Sequence, residues 1–206
     1  MPLPLFAVHL SDGAMAWPWV AGGWVGLSAL LLIAMWRIRE EDIPRIGVLT
    51  AAFFVGSSVH IPFAVLPTSV HLILNGLVGV VLGRRAPLAI CVGLLLQYLL
   101  LAHGGLTTLG LNACIIAIPA VIAGACYPIL KRLGLSPFAC GLLLGAGAAA
   151  GAVTLNFLAL LVGGSDDWQM LARLVLLAHL PIIVVEGLLL GVIVQYLEKV
   201  KPEMLA

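Results

Sequence analysis

Charged side chains are scarce in this chain. Only 9% of its 206 residues are Asp, Glu, Lys or Arg, against about 25% in an ordinary soluble domain. With 63% hydrophobic residues and a mean hydropathy of +1.20, a large water-soluble core is excluded and a polytopic membrane protein is implied. The few basic residues form no patch interleaved with aromatics, so nucleic acid is excluded as a partner. The four cysteines, Cys91, Cys114, Cys126 and Cys140, show no CxxC spacing and all lie in apolar runs. They are read as small lipid-compatible residues rather than redox or metal-binding groups. There is no HExxH, no GxSxG and no Walker A sequence, which leaves metalloprotease, serine hydrolase and self-contained ATPase without support. Nor is there a carboxylate-rich cage of the kind magnesium or calcium prefers.

What is present is a series of apolar runs. A bilayer core takes about 20 apolar residues per helix, fewer where protein shields the segment. On that scale the chain divides into seven runs, near 15–36, 46–66, 70–83, 87–102, 109–130, 137–163 and 170–197. The third and fourth are short and are expected to sit partly inside the bundle, where irregular backbone is tolerated. The expected fold is therefore all-α, a single membrane domain over residues 1–206 with about seven transmembrane helices and an N-terminal hook at 1–14. Arg37, Arg39, Arg45, Arg84, Arg85, Lys131, Arg132, Lys199 and Lys201 fall at the ends of odd runs or the starts of even ones, leaving only Arg173 on the other side. The positive-inside rule then puts the N-terminus outside and the C-terminus in the cytoplasm.

In that topology all five histidines, His9, His60, His71, His103 and His179, occupy the outer half. Singly, a membrane histidine is usually a satisfied bundle residue. Five on one side point to a pathway or site, and neutral imidazole suits nickel, copper, zinc or cobalt. Asp12 is outer, and Asp166 and Asp167 belong to a solvated outer loop. Glu40, Glu41 and Asp42 form a charge cluster beside arginines. Glu186 is the exception, mid-run and two helical turns (roughly 10 Å) after His179, too far for both to hold one ion. It is expected to pair with a donor from another helix; an acid–base pair with His179 is the membrane-enzyme alternative. The spacings Gly141-xxx-Gly145, Gly147-xxx-Gly151 and Gly187-xxx-Gly191 allow close helix approach in lipid, either within the chain or against a partner.

Four stretches carry a resemblance: "HLSDG" (9–13), "PTSVHLILNGLVGVVLG" (67–83), "LLLAHGGLTTLGLNA" (99–113), and "HLPIIVVEG" with "VKPEML" (179–187 and 200–205). They are similar to the cobalt/nickel permease family, the CbiM- or NikM-like substrate-binding membrane subunits of energy-coupling-factor (ECF) transporters. The resemblance implies an importer of Co²⁺ or Ni²⁺ in a bacterial plasma membrane, linked to cobalamin biosynthesis or a nickel enzyme. The implied partners are a transmembrane coupling subunit, two cytoplasmic ATPase subunits and a small accessory membrane subunit. A self-sufficient carrier or channel is the alternative, distinguished by metal accumulation without an ATPase.

The resemblance also implies a ligand set. In the family the chain begins Met-His, and the terminal amine, the histidine's amide nitrogen and its imidazole take the metal together with an imidazole from the third span. By position, His9 and His71 match the two histidines, with His60 a weaker candidate. His103, Thr107 and Thr108 are expected to cover or gate the site, and Asn75, one turn beyond His71, to orient it. Here eight residues, "MPLPLFAV", precede His9. Processing, a different geometry built on two or three imidazoles, or a start at Val8 (GTG read as Met, restoring Met-His-Leu-Ser-Asp-Gly) would each reconcile the extension with the family pattern. In the last case Val8 supplies the terminal amine.

Overall fold

A computed structural model describes residues 9–59, 61–62, 69–164 and 167–205. Two expected site residues, Val8 and His60, lie outside the described residues. Among the described residues the chain forms seven α-helices: α1 (Trp17–Met35), α2 (Asp42–Ser58), α3 (Asn75–Leu82), α4 (Ala86–Leu101), α5 (Leu109–Arg132), α6 (Pro137–Gly163) and α7 (Asp167–Val200). A two-residue ladder pairs β1 (Ile61–Pro62) antiparallel to β2 (Ser69–Val70), so the chain doubles back just ahead of α3.

Helices dominate because apolar surroundings leave the backbone to satisfy its own polar groups. Proline opens α1, α4 and α6, where its missing N–H would have had no intrahelical partner. The Ser136 hydroxyl caps α6 by accepting from the Ala139 amide.

Five helical stretches are long and apolar enough to cross a membrane: Trp17–Met35, Asn75–Leu101, Leu109–Arg132, Pro137–Gly163 and Ala172–Val200. The second of these is not one rod. A straight helix over 27 residues would be about 40 Å long, yet His71 before it and His103 after it have ring centroids 6.1 Å apart. The chain reverses at Gly83, whose φ of 54° suits a residue without Cβ, and α3 and α4 form a hairpin. The eight-residue α3 is only about 12 Å long and is buried at seven positions. It is a short element shielded by its neighbours, as the length of its apolar run suggests.

The central helix is α5, which packs against α1, α3, α4 and α6, while α6 runs along α7. The α6–α7 contact is backbone on backbone. A Cβ at Gly141 would stand 2.4 Å from the Leu190 carbonyl, one at Gly145 2.5 Å from that of Glu186, and one at Gly187 2.8 Å from that of Leu142. The glycine spacings of residues 141–145 and 187–191 therefore serve packing within this chain.

The bundle has two chemically different ends. At one, Arg85 pairs with Asp42 at 2.6 Å and donates to the Arg37 carbonyl, Arg45 donates to the Glu203 carbonyl, and Lys131 pairs with Glu198. At the other, the segment before α1 meets the end of α6 through Ala16 N–H and the Gly163 carbonyl, next to the loops that carry the histidines.

Candidate metal centre

The hook is held by the α4–α5 loop. Residues 9–13 turn at Gly13, where φ is +83°. The Asn112 side chain clamps the backbone of Leu10 from both sides: its Oδ1 accepts the Leu10 amide at 2.9 Å and its Nδ2 donates to the Leu10 carbonyl at 2.9 Å. Thr108 Oγ1 donates to the same carbonyl at 2.6 Å. Asp12 accepts the amides of Leu106 and Thr107 at 3.2 and 2.8 Å, and the Thr107 hydroxyl. Partial burial acts to raise the Asp12 carboxyl. The Thr107 hydroxyl and the loop amides outweigh it and hold the group below its ordinary value of 3.8. Gly105 is required where the loop crosses the hook, since a Cβ there would lie 2.4 Å from the Asp12 amide nitrogen.

His71 enters from the strand turn before α3 and is 1% exposed. Its Nδ1 lies 2.9 Å from the Leu72 carbonyl. A carbonyl only accepts, so the proton is on Nδ1 and the basic lone pair is on Nε2. The entry to α3 is bound from across the bundle by Glu186 of α7, whose Oε1 accepts the Ile73 amide and, at 2.9 Å, the Leu74 amide. Leu74 itself has a φ of 53°, a conformation uncommon for a branched side chain. The opposed carboxylate helps hold it there.

His103 follows the left-handed cap of α4 at Ala102, its amide bonded to the Gln97 carbonyl at 3.2 Å. His9, His71 and His103 converge. Each offers one ring nitrogen, and these nitrogens all lie within 4.8 Å of one another. The rings of His9 and His71 are nearly parallel with centroids 5.1 Å apart, and His103 stands edge-on to His9 at 4.8 Å. Two nitrogens bound at about 2.0–2.1 Å are at most about 4.2 Å apart, and three around one ion are mostly closer than that, so the cluster closes by about 1 Å to bring all three onto one ion.

Among the described residues the converging donors are all imidazoles. Asp12 and Glu186 are engaged by backbone amides, so among the described residues no hard-cation cage forms there, and the three imidazoles suit a late first-row divalent ion. Against the expectations drawn from the sequence, His103 belongs with the converging nitrogens and not only with a cover. Thr107 and Thr108 bind the hook through Asp12 and Leu10 rather than through the histidine rings. The Asn75 amide donates to the carbonyls of Ile116 and Ala148 at 3.3 and 2.9 Å, tying α3 to α5 and α6 instead of orienting His71. The clamp by Asn112 and the loop docking by Asp12 were not legible as such, although an Asx side chain beside Gly13 and the Thr-Thr pair were the available signals.

The family model for CbiM, described as a cobalt uptake substrate-specific transmembrane region, matches residues 9–204. This chain belongs to the CbiM family. A protein of Haemophilus influenzae named for metal transport is similar over 205 residues at 34% identity, covering 96% of this chain and 97% of that protein. The cobalt transport protein CbiM of Thermosynechococcus vestitus is 32% identical over 212 residues, covering 91% of this chain and 79% of that protein. A crystal structure described as a transition metal transporter shares the fold with a TM-score of 0.79 at 22% identity, covering 93% of each chain. The CbiM-family chain is thus a multi-pass membrane protein of metal transport and not an enzyme. The acid–base alternative for His179 and Glu186 falls with that, and Glu186 has a backbone-binding task of its own.

Proposed function

We propose that this chain is the substrate-capture component of an ATP-driven ECF importer, taking Co²⁺ or Ni²⁺ at an outer-side nitrogen site. One observation carries this conclusion: three imidazoles from three separate loops meet within 4.8 Å, at the end of the bundle opposite nine of the ten basic residues. By the positive-inside rule the arginine end is cytoplasmic. The site then faces outward, the N-terminus lies outside and the helices make seven crossings. With no nucleotide motif in the sequence, energy comes from partners: a coupling membrane subunit, two ATPase subunits and a small accessory membrane subunit.

His9 and His71 are the principal ligands in this proposal, His103 the third imidazole and His60 a reserve. Translation from Val8 as Met is part of this proposal. The amine, the deprotonated amide and the imidazole of a Met-His terminus form fused chelate rings in one plane. His71 supplies the fourth nitrogen of a tetragonal set suited to Ni²⁺. A valine codon other than GTG at position 8 would overturn that start.

The deciding measurement is metal stoichiometry and affinity for the purified full chain and for His71→Ala. The unaltered chain is expected to hold one Co²⁺ or Ni²⁺. The variant is expected to lose at least about a hundredfold in affinity with its helix content intact. Unchanged binding by the variant would remove His71 from the ligand set.

A further inference from the structure

His179 is unexplained by the capture site. It is wholly buried on α7 at 0% exposure, in a helix surrounded by apolar groups, where an imidazole is costly unless it has a task. Its Nδ1 lies 2.7 Å from the Val175 carbonyl, so that nitrogen carries the proton and Nε2 carries the lone pair. Nε2 is buried with no hydrogen-bond partner among the described residues. A ring whose outer nitrogen donates to a carbonyl is the orientation in which imidazoles bind metal. His179 also stands edge-on to His71, with centroids 6.4 Å apart and planes at 82°.

These rings form a sequence graded by burial. His103 is half-buried, His9 is 6% exposed, His71 1% and His179 0%. His71 is the ring that contacts both the outer pair and His179. Glu186, two turns along α7 from His179, binds the amides of Ile73 and Leu74, so His71 and His179 are referred to one another through a common helix.

We propose that Nε2 of His179 and Nε2 of His71 form an inner transfer position, which receives the divalent cation from the outer cluster when the hook releases it. His71 is common to both positions, so the ion changes partners without passing through an uncoordinated state. This inference rests on the outer cluster being the capture site.

The test uses the full chain, purified without a histidine tag, carrying His9→Ala, His60→Ala and His103→Ala. His71 and His179 are then its only two histidines. With Cu²⁺ as the probe, one ion per chain is expected, and pulsed EPR is expected to count two coupled imidazoles. Adding His179→Asn, which keeps a donor for the Val175 carbonyl, should reduce the count to one and weaken binding about tenfold or more. A single coupled imidazole in the triple variant, or equal affinity with and without His179, would overturn the proposal. A second measurement covers failure of the triple variant to fold. Uptake of Ni²⁺ by the intact transporter carrying His179→Asn alone is expected to drop at least about tenfold, and unchanged uptake also overturns the proposal. Failure of the capture site itself is separately visible, as absence of Co²⁺ and Ni²⁺ binding by the unaltered chain.

Discussion

The two ends of the bundle hold polar groups in opposite ways. At the histidine end, polar side chains are mostly buried and bond to backbone: Asn112 to Leu10, Glu186 to Ile73 and Leu74. At the arginine end, charged side chains pair with one another nearer to solvent. Arg39 and Glu41 are 74% and 70% exposed, and Arg85 and Asp42 are 22% and 13% exposed. Removing one partner of a buried backbone bond leaves an unpaired dipole in a weakly polarisable interior. Removing one partner of an exposed pair leaves an ion in water, at little loss. The histidine end is built to fix positions, whereas the arginine end keeps its charges within reach of water.

If that contrast is correct, substitutions should sort by end rather than by charge. The largest effect is expected from Glu186→Ala, which strands two buried amides at the entry to α3. About 2–5 kcal/mol of stability should be lost, read by thermal unfolding in detergent, together with weaker metal binding through displaced His71. Glu186→Gln keeps an acceptor oxygen and should lose less than half as much. Equal losses from the two variants would mean that the charge, and not the two hydrogen bonds, does the holding.

Gly105→Ala comes next. Its Cβ would meet the Asp12 amide nitrogen at 2.4 Å, so the hook must shift away from the loop. Overpacking of this kind costs about 1–3 kcal/mol, which, passed on to the site, is about a five- to 150-fold loss of metal affinity with helix content unchanged. Wild-type affinity in this variant would show that the hook is not positioned by the loop.

The third expectation concerns acid. The Asp12 carboxyl is lowered in the folded chain from an ordinary value of 3.8. Its contribution to docking is therefore complete above that ordinary value and is lost as pH falls through the lowered one. Between pH 7 and 5 the hook therefore stays docked, and Asp12 is not the group that sets metal release over that range. Asp12→Asn should weaken binding a few-fold at every pH without moving the release midpoint. A midpoint shifted by that substitution would place the acid response in the hook.

The smallest effect is expected at the arginine end. Arg39→Ala removes an exposed pair and should leave unfolding temperature and metal affinity indistinguishable from the unaltered chain. A loss comparable to that of Gly105→Ala would erase the distinction between the ends.

Much of this molecule was legible from residue order because the bilayer simplifies the problem. Apolar runs marked the helices, and the short third run marked a shielded element. The basic residues marked an end, and the "HLSDG" and "SVHLILNG" stretches pointed to His9 and His71, whose rings the fold brings together. Other assignments depended on distances that no spacing encodes. His103 was expected near the site but not as an equal donor. Asn75 was placed beside His71 along the helix, yet its side chain points to the carbonyls of Ile116 and Ala148. Glu186 was expected to find a donor on another helix without any indication of which one.

The amino-acid order alone determined the solvent, the helical class, the polarity of the two ends and the residue types offered to a metal. These follow from local composition, since transfer of each side chain between water and hydrocarbon is nearly independent of its distant neighbours. Tertiary structure decided which imidazoles converge, that the α3–α4 segment folds back on itself, and that Glu186 fastens the start of α3. Those are contacts between residues up to 113 positions apart. They exist because glycine-lined helices approach closely enough to bring loops from one end of the bundle within a metal ion's reach.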